Sequence, residues 1–454
     1  MEKLSWDGSL SYGFNEIDFF IFETINASLG PATPTSFDIG SYGQRDLSAN
    51  LDLAYPLGDH TNLAGGLEWR EEEFAIGAGQ LESYEVGPLA AQGFSSASNG
   101  FNGFGGITVG TWNRGNYAVY ADLERRARDE RWTLGLAVRL EDFDDFGTTT
   151  NGKLTGFYKL TDAWRVRGGV STGFRAPTPG QANSHNVTTQ FDVQSGELQE
   201  HGTIPPTSRV AQLRGGEPLV PEESLNYALG TIFDKGPLSL TVDFFQIDVE
   251  DRLTLSQNFT LTPAEIEQLL TEGIASARNL NNFRFFINDF DTRTRGVDVV
   301  ATYTPRALRG NTSFSLVFNH TETEVTRFNP ETLDDVRIRQ LEAALPETRW
   351  NLTAHQRLPG GVSALARLSY YGSWYDAEDV RTYGGEPIFD LEGSYPVRDD
   401  LTLALGGQNV LNTYPEENPN AAAGLGNRYS QFTPFGFNGA YWYLRLQYRW
   451  GARY

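Results

Sequence analysis

The chain has 454 residues, of which 13% are aromatic and none is cysteine, and its formal net charge is -22 at pH 7. The mean hydropathy is -0.40, and no stretch approaches the roughly eighteen apolar residues of a spanning helix, which excludes a helical membrane protein. The lack of cysteine excludes disulfides and thiolate metal sites, and the acidic balance argues against nucleic acid as a partner.

Alternation of apolar and polar residues is the dominant pattern along the chain, and it is typical of strands with one apolar face. The stretches 46–55, 131–141, 349–357 and 441–450 show it throughout. In the last of these, Leu444 and Leu446 share one face, whereas Arg445 and Gln447 share the other. About sixteen such strands are predicted. They begin near positions 4, 43, 61, 116, 131, 150, 163, 222, 237, 292, 311, 347, 361, 385, 399 and 438.

One helix is predicted, over 262–277, with Thr262 as N-cap and Pro263 as its first residue. No other stretch shows a convincing helical repeat of comparable length. We therefore expect an all-β protein.

The connections between the predicted strands alternate in length. Short turns such as 56–60 and 126–131 alternate with long connections at 76–115, 176–221, 251–291, 324–346 and 413–437, and only the one near 144–150 is short. This pattern predicts an antiparallel transmembrane β-barrel of about 16 strands, with short periplasmic turns and long extracellular loops. Tryptophans at strand ends suit the interfacial girdle of such a barrel. A soluble propeller or sandwich would need a regular repeat, and none is visible.

Five segments, in order along the chain, resemble those of one family. They are "STGFRAPTPGQ" at 171–181, "PEESLNYALG" at 221–230, "TRGVDVVATY" at 294–303, "GQNVLNTYP" at 407–415 and the terminal "YLRLQYRW" at 443–450. Each motif alone is weak, but together they resemble the C-terminal part of the TonB-dependent outer-membrane receptors.

The resemblance implies a 22-stranded barrel, an N-terminal plug and a short box that contacts an inner-membrane partner. We expect neither plug, box nor export signal in this sequence, and about six of the family's first strands are missing by our count. The chain is therefore expected to be one barrel domain, 1–454, whose last strand, Tyr441–Trp450, pairs with Leu4–Phe14 to close the wall.

The sequence contains matches to catalytic and metal-binding motifs, but each match lacks the context that its motif requires, so we interpret them as coincidental. "GVSTG", Gly169–Gly173, matches a hydrolase pattern but continues as a strand, and "GTTTNGKL", Gly147–Leu154, lacks the hydroxyl and helix of a phosphate loop. The five histidines show no metal-ligand spacing, and "EDFDD", Glu141–Asp145, suits a solvated rim better than a calcium site. We expect no enzyme activity, cofactor or bound metal.

Two sets of candidate site residues follow from the pattern. Charged residues on the polar face would line the lumen or pair with one another across the wall; they are Glu68, Arg70, Asp122, Glu124, Arg139, Arg165, Arg167, Asp243, Arg367, Arg445 and Arg449. Aromatic residues near the loops would stack on a ligand or simply pack the loops; they are Trp112, Tyr371, Trp374, Tyr375, Tyr383 and Tyr429.

The leading functional hypothesis is a receptor barrel in the bacterial outer membrane for TonB-dependent uptake of a scarce nutrient. An iron–siderophore chelate is expected first, with a saccharide or peptide next. The expected partners are outer-membrane lipid, a small ligand such as a metal chelate, and TonB only if the full-length protein carries a plug. The alternative is a plugless, porin-like diffusion channel, since sixteen strands is a porin's number. A barrel protease or lipase is a third class, for which no catalytic constellation is visible.

Overall fold

The structure is a computed structural model and describes residues 4–192, 197–274, 277, 282–305, 311–420 and 428–450. Its strands, in chain order, are β1 (Ser5–Phe22), β2 (Ser36–Gly58), β3 (Thr61–Ala78), β4 (Gly110–Arg126), β5 (Trp132–Phe143), β6 (Gly147–Lys159), β7 (Trp164–Arg175), β8 (Asn186–Asp192), β9 (Glu197–Thr203), β10 (Glu222–Lys235), β11 (Leu238–Leu255), β12 (Phe259–Thr260), β13 (Asn282–Arg284), β14 (Phe286–Tyr303), β15 (Thr312–Phe328), β16 (Thr348–Arg357), β17 (Ser363–Tyr371), β18 (Trp374–Asp376), β19 (Arg381–Tyr383), β20 (Glu386–Arg398), β21 (Leu401–Gln408) and β22 (Tyr441–Tyr448).

The helices of the described residues all lie in connections between these strands. The α-helices are α1 (Pro179–Asn183), α2 (Arg209–Gln212), α3 (Pro263–Thr271) and α4 (Asp335–Ala343). Short 3₁₀ turns occur at Ala27–Ala32, Leu81–Ser83, Pro88–Gln92, Gly106–Thr108 and Pro359–Gly361. Within the described residues, no helix combines the length and the hydropathy that crossing a membrane requires.

Sixteen strands form one antiparallel sheet in which each strand pairs with the wall strand before it and the wall strand after it along the chain. The order is β1-β2-β3-β4-β5-β6-β7-β10-β11-β14-β15-β16-β17-β20-β21-β22. This confirms the predicted all-β antiparallel fold and its sixteen wall strands. Three of them start earlier than expected, since β2, β4 and β14 begin at 36, 110 and 286 rather than near 43, 116 and 292. In β2 the cause is a bulge opposite Phe19 and Phe20, which shifts the side-chain alternation and hides the strand start from a parity count.

One face of the sheet is apolar and open to its surroundings. On β5, Leu134, Leu136, Val138 and Leu140 are 50%, 57%, 46% and 44% exposed. A soluble monomer rarely leaves such a contiguous apolar surface uncovered. This face is therefore suited to contact with lipid, and the opposite face carries the polar residues.

The connections differ on the two rims, as predicted. One rim has short turns at 59–60, 127–131, 160–163, 236–237 and 399–400. The other has long connections at 79–109, 176–221, 256–285, 329–347 and 409–440, and the short one at 144–146.

The long connections contain a folded unit of their own, which we call the cap. Its sheet has the order β12-β13-β9-β8, and β13 pairs with β9 in parallel. Its core joins residues from three different loops and from the start of β14: Val187, Ile204, Val210, Ala211, Phe259, Leu261, Leu269, Ala277, Phe283, Phe285, Ile287, Phe290 and Leu333. The unit therefore depends on contacts between segments far apart in sequence.

The predicted helix lies in this cap and begins as expected. Thr262 accepts from the backbone N–H of Glu265 and Pro263 is the first helical residue, so the start at Thr262 is confirmed. The predicted end was wrong, because the helix stops at Thr271 rather than continuing to Ala277. Gly273, at φ +87°, takes the left-handed conformation that ends helices.

The expected closure of the wall is wrong for the described residues. There, β1 pairs with β2 and β22 with β21, but Leu4–Phe14 and Tyr441–Trp450 do not pair with each other. Hydrogen-bonded strands lie about 4.7–4.9 Å apart. Strand tilt, shear and number together determine a barrel's width, and in the described residues β1 and β22 are the two edges of the sheet.

Candidate functional site

The polar face of the sheet holds the charged residues that the sequence predicts to line a lumen. Cross-strand partners share a face, and the registers place all the candidates that lie within strands on this side. Arg449 follows the end of β22, where its backbone N–H donates to the Asp400 carbonyl.

Most of these charges are paired with an opposite charge. The ion pairs are Glu68–Arg139 (2.8 Å), Arg70–Glu72 (3.0 Å), Arg167–Asp243 (2.6 Å), Arg367–Asp390 (2.7 Å), Arg445–Glu392 (2.8 Å), Glu124–Arg126 (3.7 Å), Arg70–Asp46 and Arg165–Asp234. Asp122 and Arg449 have no ion pair among the described side chains. Most of the predicted lumen residues thus form ion pairs with other residues of the sheet, which was one of the two alternatives for this set. The other alternative, that they line the lumen, remains a prediction.

Several of these contacts join two strands that are separated by a third, and we call them skip-strand contacts. The Arg167 guanidinium of β7 donates Nη2 and Nε to the two Asp243 oxygens of β11, at 2.6 and 2.9 Å. Both residues are cross-strand partners of Gly230 on the intervening strand β10. A Cβ on Gly230 would collide with the Asp243 carboxylate and lie 3.1 Å from Arg167 Nε, so a small residue is required there.

The same arrangement recurs around the sheet. Tyr120 of β4 donates its hydroxyl to Asp52 of β2 across Gly66 of β3. Tyr443 of β22 donates to Glu392 of β20 across Gly406 of β21. Sequence reasoning missed these contacts, although small residues on an otherwise polar face are a signal that could have found them.

Two cavities open on the polar face beside these contacts. One, of 510 Å³, is lined by Arg167 and Asp243 together with Lys153, Asn226 and Phe245. The other, of 450 Å³, brings together Asp122, Arg139, Tyr120, Asn151 and Lys153. Four of the predicted lumen residues therefore line spaces large enough for a small polar molecule.

A further charged cluster lies nearer the long-loop rim. Arg70 of β3 contacts both Asp46 and Glu72, and Glu72 also pairs with the buried Arg114 of β4. Arg114 donates to the Pro177 carbonyl as well, and so connects the wall to the loop that follows β7. Arg114 was not among the predicted residues.

Three of the predicted loop aromatics are buried rather than presented to a ligand. Trp374, Tyr375 and Tyr383 are 1%, 2% and 1% exposed, and the Trp374 and Tyr383 rings stack at 4.6 Å. The Tyr383 hydroxyl donates to Asp379 at 2.6 Å, and burial with this bond raises the pKa of Tyr383. These rings hold the β18–β19 hairpin together. A ligand-binding role for them stays a prediction, and this conformation offers no ring face for stacking.

The other three loop aromatics are partly exposed. Trp112 packs on Phe74 at 6.0 Å, and Tyr371 lies 5.6 Å from Phe435. Tyr429 stacks between Tyr414 and Phe437, at 5.6 and 6.2 Å. The structure thus disperses the six aromatics over separate clusters.

Charged residues of the cap are strongly coupled. Arg214 donates to both Glu265 oxygens, at 2.7 and 3.0 Å, and this bond lowers the pKa of Glu265 to about 2. Within the described side chains, no group of three or more His, Cys, Asp or Glu residues is placed to hold a metal ion. The apolar core of the cap and ion pairs such as Arg214–Glu265 hold its segments together.

The remaining motifs lie in strands. Gly169–Gly173 runs within β7 and Gly147–Leu154 within β6, so neither segment forms the strand-to-helix turn that its motif needs. In Glu141–Asp145, Glu141 pairs with Arg139 and Asp144 accepts from the Gly115 N–H at 2.8 Å. These contacts are those of a structured strand end.

Comparison with known proteins gives one consistent result. The family model described as "TonB dependent receptor-like, beta-barrel" matches residues 2–410. The vitamin B12 transporter of Photobacterium profundum is 23% identical over 357 residues, which are 78% of this chain and 44% of that protein. A ferric enterobactin receptor of Pseudomonas aeruginosa is 15% identical with a TM-score of 0.65, over 99% of this chain and 60% of the other.

A copper transporter is similar in fold as well, at 14% identity and a TM-score of 0.63, over 99% of this chain and 63% of the other. The chain thus spans less than two thirds of each of these proteins. The match to the family model covers most of the 454 residues. The chain belongs to the TonB-dependent receptor family, and residues 2–410 match the β-barrel of that family.

Proposed function

We propose that this chain is the barrel of an outer-membrane receptor that takes up a scarce nutrient by a TonB-dependent mechanism. The family match over residues 2–410 carries the proposal. An iron–siderophore chelate is the first expected ligand, since a structural relative is named as a ferric enterobactin receptor. A cobalamin is a second, since a curated relative is named as a vitamin B12 transporter.

The two faces of the sheet support a membrane location. Side chains such as Leu136 and Leu229, 57% and 63% exposed, would lie in lipid. Charged groups of the polar face are largely compensated by skip-strand and neighbouring contacts, which lowers the cost of holding them inside a barrel. The whole of 1–454 would then act as one domain, which supplies sixteen strands of the receptor's barrel wall.

The long-loop rim would receive the ligand. The cap and the β18–β19 hairpin are both ordered by buried cores, so they present fixed surfaces instead of free loops. Pre-organised loops lose less conformational entropy on binding. This supports capture of a defined ligand over unselective passage.

The porin-like alternative has less support. A diffusion channel made by this chain alone needs a closed wall, because unpaired strand edges are costly in lipid. In the described residues β1 and β22 are not paired with each other. Family membership also favours energised uptake over passive diffusion.

Growth on defined iron sources tests the proposal. A strain with the gene deleted would be grown under iron limitation with single ferric chelates, and separately with cobalamin as the limiting nutrient, and then complemented with the full-length gene. Loss of growth on one nutrient, restored by the gene, supports the proposal. Unchanged growth and unchanged nutrient accumulation on every source would contradict it.

A further inference from the structure

A third cavity, of 550 Å³, opens on the apolar face of the sheet, and we call it the outer groove. Four of its lining side chains form one continuous row across β2, β3, β4 and β5, since each is the cross-strand partner of the next; they are Leu51, Leu67, Val119 and Leu140. All four are exposed. The volume lies within the range of about 300–1,000 Å³ that is usual for small-molecule sites. The groove therefore has an apolar floor and room for a ligand.

An aromatic row borders the groove on the side of the long-loop rim. Trp69 and Tyr117 are cross-strand partners, and each lies two residues nearer that rim than the apolar row. Ala49 is the cross-strand partner of Trp69 on β2 and also lines the cavity. Its small side chain leaves space that a larger residue would fill.

A carboxylate lies at the end of the aromatic row. Asp142 is the cross-strand partner of both Tyr117 and Thr148, and all three line the cavity. The Thr148 hydroxyl donates to Asp142 Oδ1 at 2.8 Å. Asp142 is exposed, and it forms no ion pair with the side chains that the structure describes. The carboxylate is therefore free to accept hydrogen bonds from a cation that enters the groove.

The surroundings of the groove limit what can occupy it. Its lining residues lie on β2 to β6, so strands added at the unpaired edge of β1 would extend the sheet without covering the groove. On a barrel that spans a membrane, the apolar face meets acyl chains, and aromatic residues lie at the level of the headgroups. Trp69 and Tyr117 would then place Asp142 among the headgroups and the apolar row among the acyl chains.

Apolar contact alone does not select one lipid over another. The bilayer interior is as apolar as the groove, so an acyl chain that moves from one to the other gains little hydrophobic free energy. Preference must come from the shape of the groove and from the hydrogen bonds at its polar end. A primary ammonium carries three donors, and its charge-assisted bond to a carboxylate is stronger than a bond between neutral groups.

We propose that the outer groove binds one membrane phospholipid with a primary-ammonium headgroup. The acyl chain lies along Leu67 and Val119, and the ammonium donates to Asp142. The inference rests on the membrane location in the proposed function. It goes beyond that function, because it concerns recognition of a lipid and not of the imported nutrient.

Native mass spectrometry of the full-length protein, titrated in detergent with single lipids, tests the site. The probes are a phosphatidylethanolamine and the phosphatidylcholine with the same acyl chains, in which three methyl groups replace the N–H donors of the headgroup. Asp142→Asn removes the negative charge and keeps the side-chain shape, and Ala49→Phe fills the groove. Ala366→Phe is the matched control, since Ala366 alternates with Arg367 of the polar face and lies outside the groove.

The wild type and Ala366→Phe should bind the phosphatidylethanolamine about tenfold more tightly than the phosphatidylcholine. Asp142→Asn should lose most of this preference, because a neutral amide accepts only an ordinary hydrogen bond. Ala49→Phe should lose the tight binding, because its ring occupies the place of the acyl chain. Circular dichroism and heat-modified gel migration would establish that each variant is folded.

Three outcomes overturn the site. The first is a wild type that binds the two lipids equally or prefers the phosphatidylcholine. The second is unchanged phosphatidylethanolamine binding by folded Ala49→Phe, and the third is an unchanged preference in folded Asp142→Asn. The proposed function is decided separately by nutrient-limited growth, so a failure of the site is distinguishable from a failure of that function.

Discussion

The guanidinium of Arg167 and the carboxylate of Asp243 are joined at 2.6 and 2.9 Å across a strand to which neither belongs. Gly230 lies beneath the pair and is the cross-strand partner of both residues. The contact links β7 to β11 and so adds a second layer of connections to the backbone ladder. It depends on the absence of a side chain at position 230.

Gly230→Val should therefore destabilise the barrel. A side chain there would displace the Arg167–Asp243 pair, and overpacking of this kind costs about 1–3 kcal/mol. The measurement is urea unfolding of the refolded barrel in lipid vesicles.

Gly393→Val is the matched control, because Gly393 is a strand glycine with no atom within 4 Å of an added Cβ. Equal unfolding midpoints for Gly230→Val, Gly393→Val and the wild type would show that the skip-strand contact contributes nothing.

Phe283→Ala should loosen three loops at once. Phe283 is fully buried in the cap core, which joins the loops after β7, β11 and β15. Removing a buried phenylalanine costs about 3–5 kcal/mol, and the loss should appear as faster hydrogen exchange in all three loops. Phe328→Ala, at a position that is 40% exposed, serves as the control. Faster exchange confined to the loop around 283 would mean that the loops fold independently.

Trp374→Ala should disorder the β18–β19 hairpin. The Trp374 ring is 1% exposed and stacks on Tyr383 at 4.6 Å, so its loss leaves a cavity in a very small core. Limited proteolysis should then cut within 372–385, whereas Trp374→Phe should stay resistant. Protection of this segment in the Ala variant would contradict the packing role. It would favour the alternative prediction, that the Trp374 ring stacks on a ligand.

Acid should weaken the packing around His185. Burial lowers the pKa of His185 from 6.5 to about 4, because the imidazolium is disfavoured there. Protons then bind more readily to the unfolded segment, so the stability of the folded loop decreases as the pH falls from 6.5 to about 4. Proton NMR titration of the ring should give a midpoint near 4, and His185→Asn should remove this part of the pH dependence. A midpoint near 6.5 would contradict it.

The strands were predictable because successive side chains of a strand point to opposite faces of the sheet. A strand with one apolar and one polar face therefore shows alternating apolar and polar residues. The segment from Trp132 to Leu140 is an example, and the long alternation there outweighs any local propensity. Thr262 and Pro263 likewise predicted the start of α3, since capping acts within one helical turn.

Features that depend on distant residues were not predictable in this way. The cap core joins Val187 to Phe283 and Leu333, and no local pattern marks these as partners. The skip-strand contacts need the register of three strands at once. Closure of the wall was a wrong prediction, since β1 and β22 are not paired with each other in the described residues. Whether the edges of a sheet meet depends on the number, tilt and shear of all its strands, and not on the residues of the two edge strands alone.

Energised accumulation of a radioactive ferric chelate tests the central proposal most directly. Cells that carry the full-length gene would be compared with deletion cells, with and without TonB, and with the proton-motive force intact or collapsed. We expect uptake that needs the gene, TonB and the proton-motive force together. Gene-dependent uptake that persists without TonB and without the proton-motive force would contradict it and establish a passive channel.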